Sequence, residues 1–253
     1  MSQPMPALIG HRGLPLLAPE NTAASVRCAA EHRISWIEVD VTMAGDGTLV
    51  MMHDLTLSRF GQSDRALTEL TKAELMQVDA GSWHSKAFAG EPLLLFADFL
   101  KLADELALNV NLEIKVHPDL DTEDQVNAVL RTLNDQPLKH SRLLISSFDL
   151  SALALLRQCD SAISLGVLFE DLPADIATVV QDIQPQSIHC DQSRLTETQA
   201  KAVIGHWPLY CYTVNDTVTF ERLLTWGVRG VFCDRAHADD MRALADQHGL
   251  PVR

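Results

Sequence analysis

Two short polar segments, each at the end of an apolar run, contain the residues of this chain best suited to chemistry. Segment 10–13 contains His11 and Arg12, a proton-transfer group beside a fixed cation. Glu38 and Asp40 follow about one βα unit later, and their i, i+2 spacing puts both carboxylates on one face of a strand. A histidine, an arginine and paired carboxylates at strand ends are the groups needed to cleave a phosphodiester with a divalent metal.

A second histidine and a third carboxylate come at the ends of later apolar runs. His53 follows one such run, and Glu113 and Lys115 lie at the end of another. Carboxylates on apolar strands are costly to bury unless they are paired or bind a metal. A structural ion pair is the alternative for Glu38 and Asp40, but Glu113 adds a third oxygen ligand. The set is therefore interpreted as a site for a hard cation, Mg²⁺ or Ca²⁺.

Two histidines, an arginine and a lysine could each act in catalysis or serve a structural role. His11 and His53 are predicted to act as general base and general acid, because histidine titrates near neutral pH. Either histidine alone would more often be structural, and the other histidines, including His189, are interpreted in that way. Arg12 suits a bidentate phosphate contact and Lys115 a second phosphate oxygen, with salt bridges as the alternatives.

The rest of the chain alternates short β-rich runs with longer amphipathic runs, which is typical of parallel βαβ units. The predicted strands are 7–10, 36–41, 49–52, 109–114, 143–147, 163–169, 187–190, 209–214 and 230–233. The predicted helices are 22–32, 96–106, 122–134, 150–159, 174–184, 196–204, 217–226 and 238–248. Eight helices in about 250 residues favour one (β/α)8 barrel over 1–253, with strands 36–41 and 49–52 as a hairpin-like pair.

The rhythm breaks between His53 and Phe96, where a short helix is predicted at 72–78 between loops. We interpret residues 55–93 as a small insertion subdomain after an early strand. Long loops inside a compact domain are usually functional, so the insertion is expected to roof the site. Trp83 and Phe88 in this insertion are candidates for substrate contact, and a small core of the insertion is the alternative.

Composition narrows the classes of partner and compartment. The formal net charge of −14 disfavours nucleic acid and anionic membrane surfaces as partners. The longest apolar runs fall short of a membrane span, which predicts no stable membrane insertion. Five scattered cysteines without CxxC spacing indicate free thiols in a reducing compartment, and the first residues lack the features of a signal peptide. A cytoplasmic location is therefore expected.

The polar segments together resemble a known family, the glycerophosphodiester phosphodiesterases, and most closely its short bacterial cytoplasmic members. Eight segments, in order, carry the resemblance: His11-Arg12-Gly13, Pro19-Glu20-Asn21-Thr22, Glu38-Val39-Asp40, His53-Asp54, Asp79-Ala80-Gly81-Ser82-Trp83, Glu113-Ile114-Lys115, Ser146-Ser147-Phe148 and Tyr212-Thr213-Val214-Asn215. The resemblance runs from Leu8 to about His237.

The resemblance implies a TIM barrel that hydrolyses deacylated phospholipids, such as glycerophosphocholine and glycerophosphoethanolamine, to glycerol 3-phosphate and an alcohol. It implies acid–base histidines and a divalent cation, with Mn²⁺ as a further candidate. The residues it implies are His11 and His53 for catalysis, Glu38, Asp40 and Glu113 for the metal, and Arg12 and Lys115 for phosphate. Glu20, Asn21 and Asn215 are candidates to support the metal ligands, and Tyr212 is a candidate substrate contact.

The chain departs from the family pattern at three places, which concern substrate preference more than activity. Leu14 stands where a second glycine is common, the segment 92–96 lacks the usual acidic residue, and Tyr212 replaces a frequent tryptophan. A lysophospholipase D-type enzyme and a non-catalytic phosphodiester-binding barrel are the alternatives. A sugar isomerase is disfavoured by the cations, which point to a phosphate-containing substrate. The headgroup, the metal, the acid and base assignment and the oligomeric state stay open.

Overall fold

The strands form one nine-stranded sheet in a computed structural model that describes residues 4–61 and 64–251. In chain order they are β1 Leu8–His11, β2 Trp36–Met43, β3 Leu49–Met51, β4 Asn109–Ile114, β5 Leu143–Ser147, β6 Leu165–Phe169, β7 Ser187–Asp191, β8 Leu209–Tyr212 and β9 Gly230–Cys233. All except β3 are parallel, and β1 pairs with both β2 and β9, so eight strands close into a barrel. β3 pairs antiparallel with β2, as the predicted hairpin requires.

Helices follow the barrel strands. They are α1 Ala23–Glu31, α2 Lys72–Leu75, α3 Phe96–Glu105, α4 Thr122–Asp135, α5 Leu150–Cys159, α6 Ile176–Val179, α7 Glu197–Ile204, α8 Thr217–Thr225 and α9 Asp239–Gln247. Most have a side-chain N-cap: Thr22 accepts from Ser25 N at the start of α1, and Asp149 accepts from Ala152 N at the start of α5. These caps satisfy backbone donors of the first helical turn and fix where each loop ends.

The alternation of side chains along β2 divides the core into two layers. Ile37 and Val39 point outward and pack beneath the helices in the main hydrophobic cluster. Trp36, on the opposite face, packs with Ile9 and Phe232 in a separate cluster inside the barrel. Glu38 and Asp40 share that inward face. The same strand therefore supplies core residues on its outer face and carboxylates on its inner face.

The insertion has its own hydrophobic cluster. Between β3 and α3 the described residues form 3₁₀ turns and the single-turn helix α2, whose N-terminus has a capping box from Thr71 and Glu74. Leu67, Leu70 and Leu75 pack together there, separately from the main core. The insertion within a TIM barrel is confirmed, whereas its boundaries at 55 and 93 stay a prediction. Among the described residues, every helix is too short or too polar to cross a bilayer.

Several predicted elements are longer than the observed ones. The helix predicted at 174–184 is only the turn α6, because the β-branched residues Ile176, Thr178, Val179 and Val180 are weak helix formers. The strand predicted at 209–214 ends at Tyr212, the one at 163–169 begins at Leu165, and the helix at 72–78 ends at Leu75.

Candidate active site

Three carboxylates meet inside the barrel near the carboxyl ends of β2 and β4. Glu38, Asp40 and Glu113 form this acidic cluster: each offers an oxygen within 4.8 Å of the others. The strand register produces the meeting, because Asp40 lies directly beside Glu113. Burial, with repulsion from its neighbours, raises the pKa of Glu38 well above its ordinary value. Burial and the charge of Asp40 likewise raise the pKa of Glu113 to about 7.

The chemistry of the acidic cluster fits a divalent cation. Asp40 Oδ1 is buried and accepts no hydrogen bond from the described residues; Lys115 Nζ lies 3.5 Å away. The same lysine contacts Glu113. Carboxylate oxygens are the ligands of hard cations, and buried negative charges need a compensating positive charge. The acidic cluster could therefore bind a divalent metal.

Two basic residues border the acidic cluster. Arg12 Nε lies 3.4 Å from Asp40 Oδ2, and the Arg12 backbone N–H donates to Glu38 at 3.0 Å. Burial lowers the pKa of Arg12, but the attraction of Asp40, Glu20 and Glu38 outweighs it and raises the pKa overall. The pKa of Lys115 is likewise raised, since the attraction of Glu113 and Asp40 exceeds the effect of burial. Both side chains stay charged beside the carboxylates.

The His11 ring is held by a carboxylate from the last strand connection. Its Nδ1 lies 2.7 Å from Asp234 Oδ1, and its Nε2 lies 4.0 Å from Glu38 Oε2. Asn215 holds Asp234 from both sides: its amide donates to Asp234 Oδ2 at 2.6 Å and accepts from the Asp234 backbone N–H at 2.8 Å. An ionised Asp234 accepts a hydrogen bond from Nδ1–H of His11, which leaves Nε2 of His11 to exchange protons.

The His53 ring is held in the same way by its neighbour. Nδ1 of His53 lies 2.8 Å from Asp54 Oδ1, and Arg59 donates to both oxygens of that carboxylate. Burial raises the pKa of Asp54, but the hydrogen bonds from Arg59 and His53 outweigh it and lower the pKa to about 2. The pKa of His53 is lowered, because the effect of burial outweighs the attraction of Asp40, which would raise it.

Asn21 connects the β1–α1 loop to the acidic cluster. Its amide donates to Asp40 Oδ2 at 2.9 Å, and its carbonyl accepts from the Asp40 backbone N–H at 3.1 Å. The residue adopts a left-handed conformation, with φ of 57°, which asparagine tolerates better than most residues. Glu20, the preceding residue, accepts from Arg12 Nη1 at 2.8 Å. Both residues therefore contact side chains of the site.

These groups open onto a cavity of about 210 Å³, which we call the site cavity. Its lining residues are His11, Arg12, Glu38, His53, Asn111, Glu113, Lys115, Phe148, Leu168, Tyr212, Thr213 and Phe232. The lining combines charged and polar side chains with apolar ones, and Phe148 and Tyr212 are in edge-to-face contact. A second hollow of about 420 Å³, which we call the outer hollow, adjoins it and shares His53, Glu113, Lys115 and Phe148.

The sequence-predicted residues fall into three groups. His11, Arg12, Glu38, His53, Glu113, Lys115 and Tyr212 line the site cavity, and Asp40, Asn21 and Glu20 contact them from behind. Asn215 contacts Asp234 rather than the acidic cluster. Trp83 and Phe88 lie outside the described lining: Trp83 Nε1 donates to Ala80 O, and Phe88 packs edge-to-face on His84.

The residues that hold the two histidines have no role in the sequence-based prediction. Asp234 had a usable signal, because it directly follows β9, at the carboxyl end of a barrel strand. Asp54 is part of the His53-Asp54 segment of the family resemblance, which assigns it no role of its own. Arg59 lies in a 3₁₀ turn of the insertion, and nothing in its sequence neighbourhood indicates its contacts.

The chain is similar over most of its length to proteins of one phosphodiesterase family. Residues 11–238 match the model of the glycerophosphoryl diester phosphodiesterase family. A glycerophosphodiester phosphodiesterase of Bacillus subtilis is 26% identical over 239 residues, covering 88% of this chain and 82% of that protein. A solved Oleispira antarctica phosphodiesterase, in complex with the product sn-glycerol-3-phosphate, is 28% identical with a TM-score of 0.89, covering 96% of this chain and 97% of its own.

Proposed function

Because the chain belongs to the glycerophosphoryl diester phosphodiesterase family, we propose that it hydrolyses glycerophosphodiesters to sn-glycerol 3-phosphate and an alcohol. Glycerophosphocholine and glycerophosphoethanolamine are the proposed substrates. This proposal rests on the groups that meet at one cavity. They are two histidines held by carboxylates, the side chains of Arg12 and Lys115, and the acidic cluster. The product bound to the Oleispira antarctica phosphodiesterase supports it.

Glu38, Asp40 and Glu113 would hold one divalent cation. When bound, such an ion neutralises charge that develops on a phosphate and lowers the pKa of a nearby hydroxyl. The arrangement of Arg12 and Lys115 supports their role as phosphate contacts, since both are charged cavity residues. Their present ion pairs to carboxylates keep them oriented before a substrate arrives.

The two histidines would move the protons in opposite directions. Nε2 of His11 takes the proton of the glycerol 2-hydroxyl, whose oxygen attacks phosphorus. The bond from phosphorus to the alcohol oxygen breaks, and His53 gives that oxygen a proton, which leaves a cyclic glycerol phosphate. Water then opens the ring with the histidine roles reversed. His53 borders both the site cavity and the outer hollow, which supports its assignment to the departing alcohol.

The first test is product release from metal-stripped protein. Glycerol 3-phosphate is measured with each glycerophosphodiester, with and without added Mg²⁺, Ca²⁺ or Mn²⁺. We expect release that depends on the metal and stops with EDTA. Folded protein that releases nothing with any metal would contradict the proposal and favour a binding function.

A second substrate tests the cyclic step. An analogue without the 2-hydroxyl cannot form the ring, so it should be inert while the parent diester is turned over. Phosphorus NMR of the parent reaction should show the cyclic phosphate in the early time points. Turnover of the analogue would instead indicate direct attack by water.

Lysophospholipids are a second candidate class with the same chemistry. Leu16 and Leu17, in the loop after β1, are 57% and 37% exposed, and Phe148 is exposed at the site cavity. Apolar side chains on this face would tolerate an acyl chain better than a polar rim would. Choline release from lysophosphatidylcholine, compared with glycerophosphocholine, distinguishes the two classes.

A further inference from the structure

Arg59 lies between two carboxylates that each contact a residue of the proposed site. Its Nε and Nη2 donate to Asp54 at 2.6 and 2.9 Å, and its Nη1 donates to Glu20 at 3.0 Å. The other oxygen of Glu20 accepts from Arg12 Nη1 at 2.8 Å. Asp54 in turn contacts Nδ1 of His53. One guanidinium of the insertion therefore contacts the partners of both a histidine and an arginine of the site cavity.

The fork geometry of Arg59 fixes a carboxylate that would otherwise rotate. The side chains of His53 and Asp54 are 34% and 28% exposed, so water competes for every hydrogen bond between them. A guanidinium that binds both carboxylate oxygens holds the plane of Asp54, and with it the oxygen that faces His53. A lysine is a point charge and cannot supply two parallel hydrogen bonds.

The insertion also holds Arg59 from its own side. The guanidinium carbon lies 5.7 Å from the centre of the Trp83 ring, a cation–π distance. The residue is part of the 3₁₀ turn Ser58–Phe60, which directly follows the segment that carries His53. The Trp83 ring and the 3₁₀ turn therefore hold Arg59 in place beside the barrel. Neither Trp83 nor Phe88 itself lines the site cavity.

We propose that Arg59 is a positioning residue for the phosphodiester reaction, which orients His53 through Asp54 and Arg12 through Glu20. This inference rests on the proposed function. It gives the insertion a role in the reaction, because the insertion supplies the group that orients a proton-transfer residue and a phosphate contact. Loss of Arg59 should lower kcat through His53 and raise KM through Arg12.

The test compares Arg59→Met and Arg59→Lys with Arg65→Met as a matched control. Arg65 is another insertion arginine: it pairs with Glu74 and donates to the Glu69 carbonyl, and its side chain is 44% exposed. Loss of a group that orients a metal ligand costs about 10–100-fold in activity, and we expect a loss of that order for a group that orients a proton-transfer histidine. We expect that loss in kcat for Arg59→Met, little recovery in Arg59→Lys, and less than a twofold change in Arg65→Met.

A double-mutant cycle with His53→Ala separates positioning from a general structural effect. If Arg59 acts on kcat through His53, Arg59→Met should have little further effect on kcat once His53 is absent, while KM still rises. Equal losses of kcat in both backgrounds, or full activity of Arg59→Lys, would overturn the proposal. Arg59→Lys replaces Arg59→Met in the cycle if the methionine variant does not fold.

The wild-type measurement separates this proposal from the one on which it rests. An inactive wild type overturns both proposals. An active wild type with an unchanged Arg59→Met variant overturns this one alone and leaves the proposed hydrolysis in place.

Discussion

Both histidines of the site cavity are held by a carboxylate at Nδ1, although the carboxylates come from distant parts of the chain. Asp234 holds His11 at 2.7 Å, and Asp54 holds His53 at 2.8 Å. This contact fixes which nitrogen carries the proton in the neutral ring and leaves Nε2 to exchange protons. The two rings therefore use the same nitrogen, Nε2, for proton transfer. The proposed reaction requires such a nitrogen on each ring, because each histidine serves once as base and once as acid.

Removal of either histidine should reduce turnover and leave metal binding largely intact. We expect His11→Ala and His53→Ala to lower kcat by about 10²–10⁴-fold, the usual contribution of general acid–base catalysis. Neither ring belongs to the acidic cluster, so a calorimetric titration with Mn²⁺ should give an affinity close to that of the wild type.

Glu113→Gln is the matched comparison for the histidine variants. It removes one charge of the acidic cluster, so its metal affinity should fall first and its activity should recover partly at high metal concentration. Near wild-type turnover in His53→Ala would contradict the scheme of two histidines.

At the level of elements, the β1–α1 connection positions Asp40 on β2 through contacts made by the loop. Gly13 has a φ of +89°, and a Cβ there would lie 2.2 Å from Ser25 Oγ. Ser25 Oγ accepts from the Leu14 backbone N–H and donates to the Arg12 carbonyl, which folds the loop onto α1. The loop then brings Asn21 to Asp40 on β2. Its glycine and asparagine are therefore structural requirements of the site.

Substitution of Asn21 should weaken both the fold and the metal site. Asn21→Ala loses two hydrogen bonds to Asp40 and keeps a left-handed backbone that alanine disfavours. We expect the free energy of unfolding to fall by about 2–4 kcal/mol, from lost hydrogen bonds to a charged group plus backbone strain. Urea denaturation measures this change, and metal affinity should fall in parallel.

Asn21→Gly separates the two causes. Glycine tolerates the left-handed conformation, so this variant should lose the hydrogen bonds without the strain and be more stable than Asn21→Ala. Equal stability of Asn21→Ala and the wild type would show that the contacts with Asp40 contribute little.

The sequence was informative where local pattern decides the outcome, and uninformative where distant partners decide it. The alternation along β2 correctly predicted that Glu38 and Asp40 share a face. By contrast, Asn215 was only a candidate to support the metal ligands, and no local pattern indicated that its side chain holds Asp234. The partner of His11 lies 223 positions away, and no local pattern encodes that pairing. Arg59 was missed because an irregular turn has no periodicity from which to infer direction.

At the level of the whole molecule, the barrel encloses a histidine that the proposed chemistry does not use. His189 on β7 is fully buried against Tyr210 and Phe232, and its Nε2 lies 2.8 Å from Ser187 Oγ. Burial lowers the pKa of His189 from 6.5 to about 3. The folded protein therefore keeps this ring neutral at pH values where the unfolded chain protonates it.

This difference predicts a loss of stability in acid. Below about pH 6.5 the unfolded chain binds a proton at His189 that the folded protein does not, so stability falls as the pH decreases toward 3. The contribution of His189 should fall by about 2 kcal/mol between pH 7 and pH 5.

Urea denaturation at both pH values, in the wild type and in His189→Gln, measures the contribution of His189. The variant should lose about 2 kcal/mol less than the wild type over this interval, since the other titrating groups are shared. Parallel losses in the two proteins would mean that His189 is protonated in the folded state.

The pairing of β9 with β1 closes the barrel and joins strands near the two ends of the chain. It therefore affects the order in which parts of the site form during folding. The three carboxylates of the acidic cluster lie on β2 and β4, which are neighbours in the sheet, so they can come together before the barrel closes. His11 acquires its carboxylate partner only when the segment after β9 docks beside the first strand. Contacts between such distant segments form late. We therefore expect turnover to appear only when β9 has closed the barrel, because His11 lacks its carboxylate partner until then.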